Sequence, residues 1–201
     1  EGILDDEPST EATLAHEFVH TVQSQRGWTN SLWVVDQEVP GGMNYDDRLT
    51  YRLVVEGAAT YTERHYVRQY LPELAGERSF RAEYRNGSAY ERLNYGPYVL
   101  GSSYVAERVD SPRDLERVHR HPPDSTEQVL HNSTDPVETV TVTTTEMDNW
   151  TERERDRQGE LFLRIALRTE LNKSTAVDAA HGWGEDRRIT FRKQNDTATA
   201  W

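Results

Sequence analysis

The stretch that most constrains this chain is Ala12–Gln25, ATLAHEFVHTVQSQ, because it holds His16-Glu17-Phe18-Val19-His20. On a helix, residues four apart share a face, with Cβ atoms about 5–6 Å apart. Both imidazoles can then offer a nitrogen to one tetrahedral ion at roughly 2.0–2.1 Å. Glu17 sits beside them, directed toward a water on such an ion and not toward the ion itself. This is the constellation of zinc sites in which a Glu serves as general base for hydrolysis. Leu14, Phe18, Val19 and Val22 read as the apolar stripe of an amphipathic helix, so the histidine face is expected to look inward or into a cleft. That context outweighs a chance meeting of two His and a Glu.

The 201 residues suffice for one domain with a sizeable core, and 1–201 is read as a single domain. A start at Glu1 instead of Met is read as that of a processed product or excised segment, and Trp201 as the beginning of an element that continues. The fold class expected is mainly α (α+β), with a small β element. Formal net charge is −12, from 35 acidic and 23 basic residues, and Lys173 and Lys193 are the only lysines. Such a surface repels phosphate backbones, so nucleic acid is not an expected partner. Acidity, scarce Lys, no Cys and abundant Thr together suggest a protein kept soluble in strong salt, where self-repulsion is screened. Without Cys, disulfides and thiolate-held metals are excluded, and any metal site must use His and carboxylates. No run of about 20 apolar residues is present to span a membrane. Sequons at Asn86, Asn132, Asn149, Asn172 and Asn195 lean toward an exported surface.

Along the chain, residues 1–9 read as an acidic approach to a helix over roughly 10–25, stopped by Gly27. Trp28 to Asp46 reads as a partly buried excursion, with apolar Leu32–Val35 and a turn at Pro40-Gly41-Gly42. A second long helix is expected over 47–70, ended by Pro72. Its interior Gly57 costs roughly 1 kcal/mol against Ala and suggests close approach of another helix or a ligand. Residues 73–87 look charged and irregular. A helical region over 88–108 should kink or split at Gly96-Pro97. Short helices are expected over 113–120 and from Asp124-Ser125-Thr126-Glu127, read as cap and first turn, to about His131. Val137–Thr145, VETVTVTTT, is the clearest strand candidate, and 187–193 a second. Between them, 151–171 reads as a charged helix and 176–181 as a short one closed by Gly182.

Two His ligands need a third protein ligand if a position is to stay open for water. A compact three-histidine run fails, because Gln23 and Arg26 stand where its Gly and third His would be. Glu56, in Leu53-Val54-Val55-Glu56-Gly57-Ala58-Ala59, is the better candidate. It lies 36 residues after His20, which suits two antiparallel helices, and a Glu on so small and apolar a face is otherwise costly. Glu63, two turns on, is the runner-up ligand or an acceptor for His16 or His20.

His16–His20 followed by Gln23-x-Gln25, and later Glu56-Gly57-x-Ala59, resembles the gluzincins, the thermolysin-like clan of zinc peptidases. In particular it resembles a branch whose first helix reads HExxHxxQxQ. The Tyr98-x-x-Gly101 region, Pro123-x-Ser125-Thr126-Glu127-Gln128-x-x-His131, Gly159-Glu160 and Ala179-Ala180-x-Gly182-Trp183-Gly184-x-Asp186 extend the likeness over about residues 10–190. Asn132 departs from it where His-Pro is usual, and Glu185 where a second Gly is usual. The resemblance implies a zincin-like helical core and one zinc ion on His16, His20 and Glu56, with Glu17 as the base. It also implies a peptide or protein substrate and an extracellular or cell-surface setting in a salt-loving archaeon. A donor for the tetrahedral oxyanion is also needed, with His131 the first choice and Tyr98 and Tyr104 alternatives. His119 and His121 raise a second metal site, while His65 and His181 read as packing or surface residues. The competing reading is a surface binding or structural module that keeps the fold without turnover.

Overall fold

The computed structural model describes residues 7–29, 43–76, 80–144 and 149–201. The chain is organised around α2 (Tyr45–Tyr70). Its start is fixed by a capping box: the Asn44 side chain accepts from the Asp47 N–H at 2.9 Å, and the Asp47 carboxylate accepts from the Asn44 N–H at 3.2 Å. From Leu49 to Tyr61, α2 is buried on more than one side, with Leu53, Val54, Val55, Ala58 and Ala59 inaccessible. A helix covered this fully must be packed by several neighbours.

One neighbour is α1 (Glu7–Gln25). Another is an interrupted helix made of α4 (Ala89–Gly96), a π turn at Pro97–Gly101 and α5 (Ser102–Ala106). Pro97 has no N–H for the ladder, and the widened turn absorbs the break as Gly96-Pro97 led one to expect. The π turn lies directly on α2, where a Cβ on either Gly57 or Gly101 would run into the other's backbone. Gly57 therefore marks a helix crossing, and its propensity cost is offset by the approach it permits.

α3 (Arg81–Asn86) forms where an irregular stretch was expected. α6 (Glu116–Arg120) follows a 3₁₀ turn at Pro112–Asp114. α7 (Thr126–His131) starts within the expected segment 124–127, with the Ser125 hydroxyl as its cap, accepting from the Gln128 N–H at 3.2 Å. β1 (Thr151–Asp156), β2 (Arg188–Lys193) and β3 (Asp196–Ala200) form an antiparallel sheet in that order, with α8 (Glu160–Leu167) and α9 (Lys173–Ala180) between β1 and β2. The buried Asp46 ties these parts together. Its carboxylate accepts from the Thr126 N–H at 3.1 Å and hydroxyl at 2.5 Å and pairs with Arg157, while its own N–H donates to the Arg157 carbonyl at 2.9 Å.

Two expectations are corrected. Residues 137–144 join no ladder; the Val140 N–H donates to Glu185 and the Val142 carbonyl accepts from Arg155. β-branched composition favours a pleated surface but does not supply a partner edge. The first six residues of the helix expected over 151–171 are β1, which pairs with β2 through Glu154↔Thr190. TERERD is exposed on both faces up to Asp156, so it carries no apolar period that would mark it as a strand. The expectations for Leu32–Val35 and Pro40–Gly42 lie outside the described residues. Among the described residues, no helix is long and apolar enough to cross a membrane.

Candidate metal centre

α1 turns Ala12, His16, Val19 and Gln23 toward α2 and leaves Leu14, Phe18 and Val22 exposed at 48, 64 and 43 %. The apolar stripe read from the sequence is thus mostly the outward face, and Val19 alone of its members is buried. The inward face is the more polar one because α2 opposes it with Glu56 and Glu63, and small Ala12 lets the two helices come close.

Three side chains converge between the helices. His16 Nε2 lies 3.2 Å from His20 Nε2 and 3.3 Å from Glu56 Oε2, and His20 Nε2 lies 3.5 Å from the same oxygen. The ligand atoms of the three residues fall within 4.8 Å of one another. The outer nitrogens are also engaged. Gln23 Nε2 donates to the Val55 carbonyl at 3.1 Å, which leaves its Oε1 to accept from His20 Nδ1 at 2.8 Å. Glu63 Oε2 stands 3.3 Å from His16 Nδ1, as the acceptor role read for it requires. With both Nδ1 atoms carrying hydrogen, both Nε2 lone pairs face the same small space.

Two lone pairs and a carboxylate at such distances need a cation between them. When protons fill that role, burial pulls His16 down, but its hydrogen bonds to Glu56 and Glu63 outweigh this and raise it to about 9. His20 is raised by the same balance, with Glu56 and Gln23 as partners. Burial favours the neutral acid in Glu56, yet the hydrogen bonds from the two imidazoles dominate and hold it at about 2. A metal ion fits as well. Four ligands at about 2.0–2.1 Å in a tetrahedron stand about 3.3–3.4 Å apart, close to the three separations found, and two imidazoles with one carboxylate suit zinc.

No family model, curated protein or solved structure matches the chain. The site must be judged on its own geometry.

The other sequence candidates divide. Glu17 is exposed on α1 beside the ligands, and its charge is felt at the Tyr98 phenol. The Tyr98 ring stacks on His16, centroids 5.9 Å apart and planes 28° apart. Burial, then the charge of Glu56, push the Tyr98 phenol up to about 12, so it is a donor at neutral pH. His131 is engaged elsewhere: its Nε2 lies 3.0 Å from the buried Glu160 carboxylate and 3.1 Å from Arg164. Tyr104 is buried in the core with the Arg108 guanidinium 3.7 Å above its ring. His65 packs on Tyr61 and His181 near His131. His119 and His121 line separate cavities of about 340 and 290 Å³. His119 stacks on Trp28 at 4.8 Å, and burial pushes it down to about 4, leaving a neutral ring whose Nε2 accepts from Gln23 at 3.4 Å.

The sequence reading missed this supporting pair. Gln23 was legible in principle, being three residues after His20 on one helix face. His119 gave no sign, because its partner is 96 residues away.

Proposed function

We propose that the chain is a zinc-dependent peptidase of the gluzincin type, as its HExxHxxQxQ helix suggests. The convergence of His16, His20 and Glu56 on one tetrahedron-sized space supports this reading above all else. When bound, zinc polarises a carbonyl and lowers the pKa of a coordinated water toward about 7. His16, His20 and Glu56 would hold the ion, with Gln23 and Glu63 fixing the ring tautomers. Glu17 takes the proton of the attacking water and returns it to the leaving amine. Tyr98, protonated and stacked on His16, is the donor best placed for the developing oxyanion; His131, bound to Glu160, and Tyr104, beneath Arg108, are placed less well. The substrate is a peptide or protein, and the acidic surface suits a cell-surface or extracellular setting in a salt-loving archaeon. A second reading, a binding module without turnover, is favoured by the exposed Leu14, Phe18 and Val22 on the ligand helix.

Metal analysis of the purified chain and of Glu56→Gln tests the ligand set. Wild type should hold one zinc per chain. Glu56→Gln should bind it more than about 100-fold more weakly, beyond the 10–100-fold that loss of an outer partner costs. Unchanged stoichiometry and affinity would remove Glu56 from the site and point to Glu63.

A further inference from the structure

The 290 Å³ cavity has a chemistry opposite to that of the molecule. The chain carries 35 acidic residues against 23 basic ones, yet the cavity walls include Arg108, Arg117 and His121 and no carboxylate. Ser133 and Thr134 add hydroxyls at its edge. Among the described residues, neither Arg108 nor Arg117 pairs with an acid, whereas neighbouring Arg120 on the same helix is bound to Glu116 at 2.5 Å.

Arg108 is held in place without being neutralised. Its guanidinium lies over the Tyr104 ring, and Nη1 donates to the Asn132 side-chain oxygen. Asn132 is itself fixed in the left-handed conformation, φ 51°, that ends α7. An aromatic face and a neutral amide orient the cation but leave its charge uncompensated. Arg117 approaches from α6, a different element, so the two forks can address one ligand from two sides. Gln128 also lines the cavity, but its amide is committed to the Asp124 N–H and the Asp135 carbonyl, both at 2.7 Å.

We propose that this cavity is a binding site for a small oxyanion, a carboxylate or a phosphate group. Two guanidinium groups give charge-assisted, bidentate hydrogen bonds to such a group, and His121, Ser133 and Thr134 offer further donors. Holding Arg108 in advance lowers the ordering cost of binding. The overall negative charge works against anions at long range, so attraction is confined to the cavity and binding is selective for a group that fits between the forks. The site is separate from the His16–His20–Glu56 centre and does not depend on that reading.

The test is an amide chemical-shift titration of the metal-free and zinc-treated full chain with inorganic phosphate, and in parallel with N-acetylglycine, at constant ionic strength. Saturable shifts confined to residues around Arg108, 117–121 and 132–134 are expected for at least one of the two anions, and the preferred anion identifies the ligand as phosphate or carboxylate. Arg117 is exposed, so Arg117→Ala should keep the spectrum of the folded chain and bind about tenfold or more weakly, the cost of one charge-assisted contact. Arg120→Ala removes the same charge from the same helix and should leave the affinity unchanged. Absence of saturable shifts with either anion would overturn the proposal. So would equal weakening by Arg117→Ala and Arg120→Ala, which would mark a diffuse charge effect.

Discussion

Glu17 and Glu56 are two carboxylates on neighbouring helices in opposite surroundings. Glu56 is enclosed, accepts from two imidazoles and is held ionised far below neutral pH. Glu17 stands in solvent one position from His16 and contributes nothing to the core. Replacing it should therefore change chemistry and not folding. Glu17→Gln is expected to keep its zinc content and melting temperature and to lose roughly 10²–10⁴-fold in rate, the usual worth of general acid–base catalysis. The assay is cleavage of a broad peptide library at high salt with zinc present; equal cleavage by wild type and variant would place the activity elsewhere. At this scale the sequence disclosed the converging residues, because a four-residue spacing on a helix is geometry in itself. It disclosed less of what supports them. That Gln23 turns its oxygen to His20 depends on a carbonyl of α2, and that His119 stays neutral depends on its burial in the folded chain, neither of which a linear pattern can express.

At the scale of elements, helices with local signals were legible, and of the strands only β2, expected over 187–193, was. The Asp124–Glu127 segment, the Gly96-Pro97 break and Gly57 each leave a mark in a few consecutive residues, whereas the Asn44 cap lies in a stretch that reads as the preceding excursion. A strand is defined by what lies across from it. Thr-rich 137–144 finds no edge to join, while polar TERERD is paired because Arg188–Lys193 is folded back beside it. On α1 the histidine face turns inward as expected, while of the apolar stripe only Val19 follows it, since α2 opposes this helix with Glu56 and Glu63 as well as with apolar residues. The crossing of α2 with the π turn is the element contact with least tolerance. Gly101→Ala places a methyl against the Leu53 carbonyl and Gly57 backbone, neither of which can rotate away. It should cost about 1–3 kcal/mol of unfolding free energy, as overpacking does, in a denaturant melt. The same substitution at Gly76, where an added Cβ meets no atom within 4 Å but φ is +99°, should strain the backbone without overlap.

For the molecule as a whole, the excess of acid over base is the dominant electrostatic fact, and a few of the arginines are engaged by buried acids. Arg157, Arg164 and Arg188 are drawn into ion pairs with Asp46, Glu160 and Asp156, all three carboxylates buried. The uncompensated acids face solvent, where their repulsion is open to screening. The melting temperature is accordingly expected to rise strongly between roughly 0.1 and 2 M KCl. A flat profile by calorimetry or circular dichroism would remove the salt-adapted reading.

The order in which the ligands occur along the chain has a consequence for how the centre comes into being. His16, His20 and Glu56 are all present once residue 56 has been synthesised, while Tyr98, Gly101 and His119, which back them, come later. Closing a loop of this size costs only about 0.6 kcal/mol more for each doubling of its length. The ligand pair of helices is thus complete early, and on the proposed metal reading an ion available at that stage would join α1 to α2 before the remainder exists to pack on them. On that reading metal supply during synthesis would bear on the yield of folded chain, since ligands clamped early are withdrawn from competing collapse.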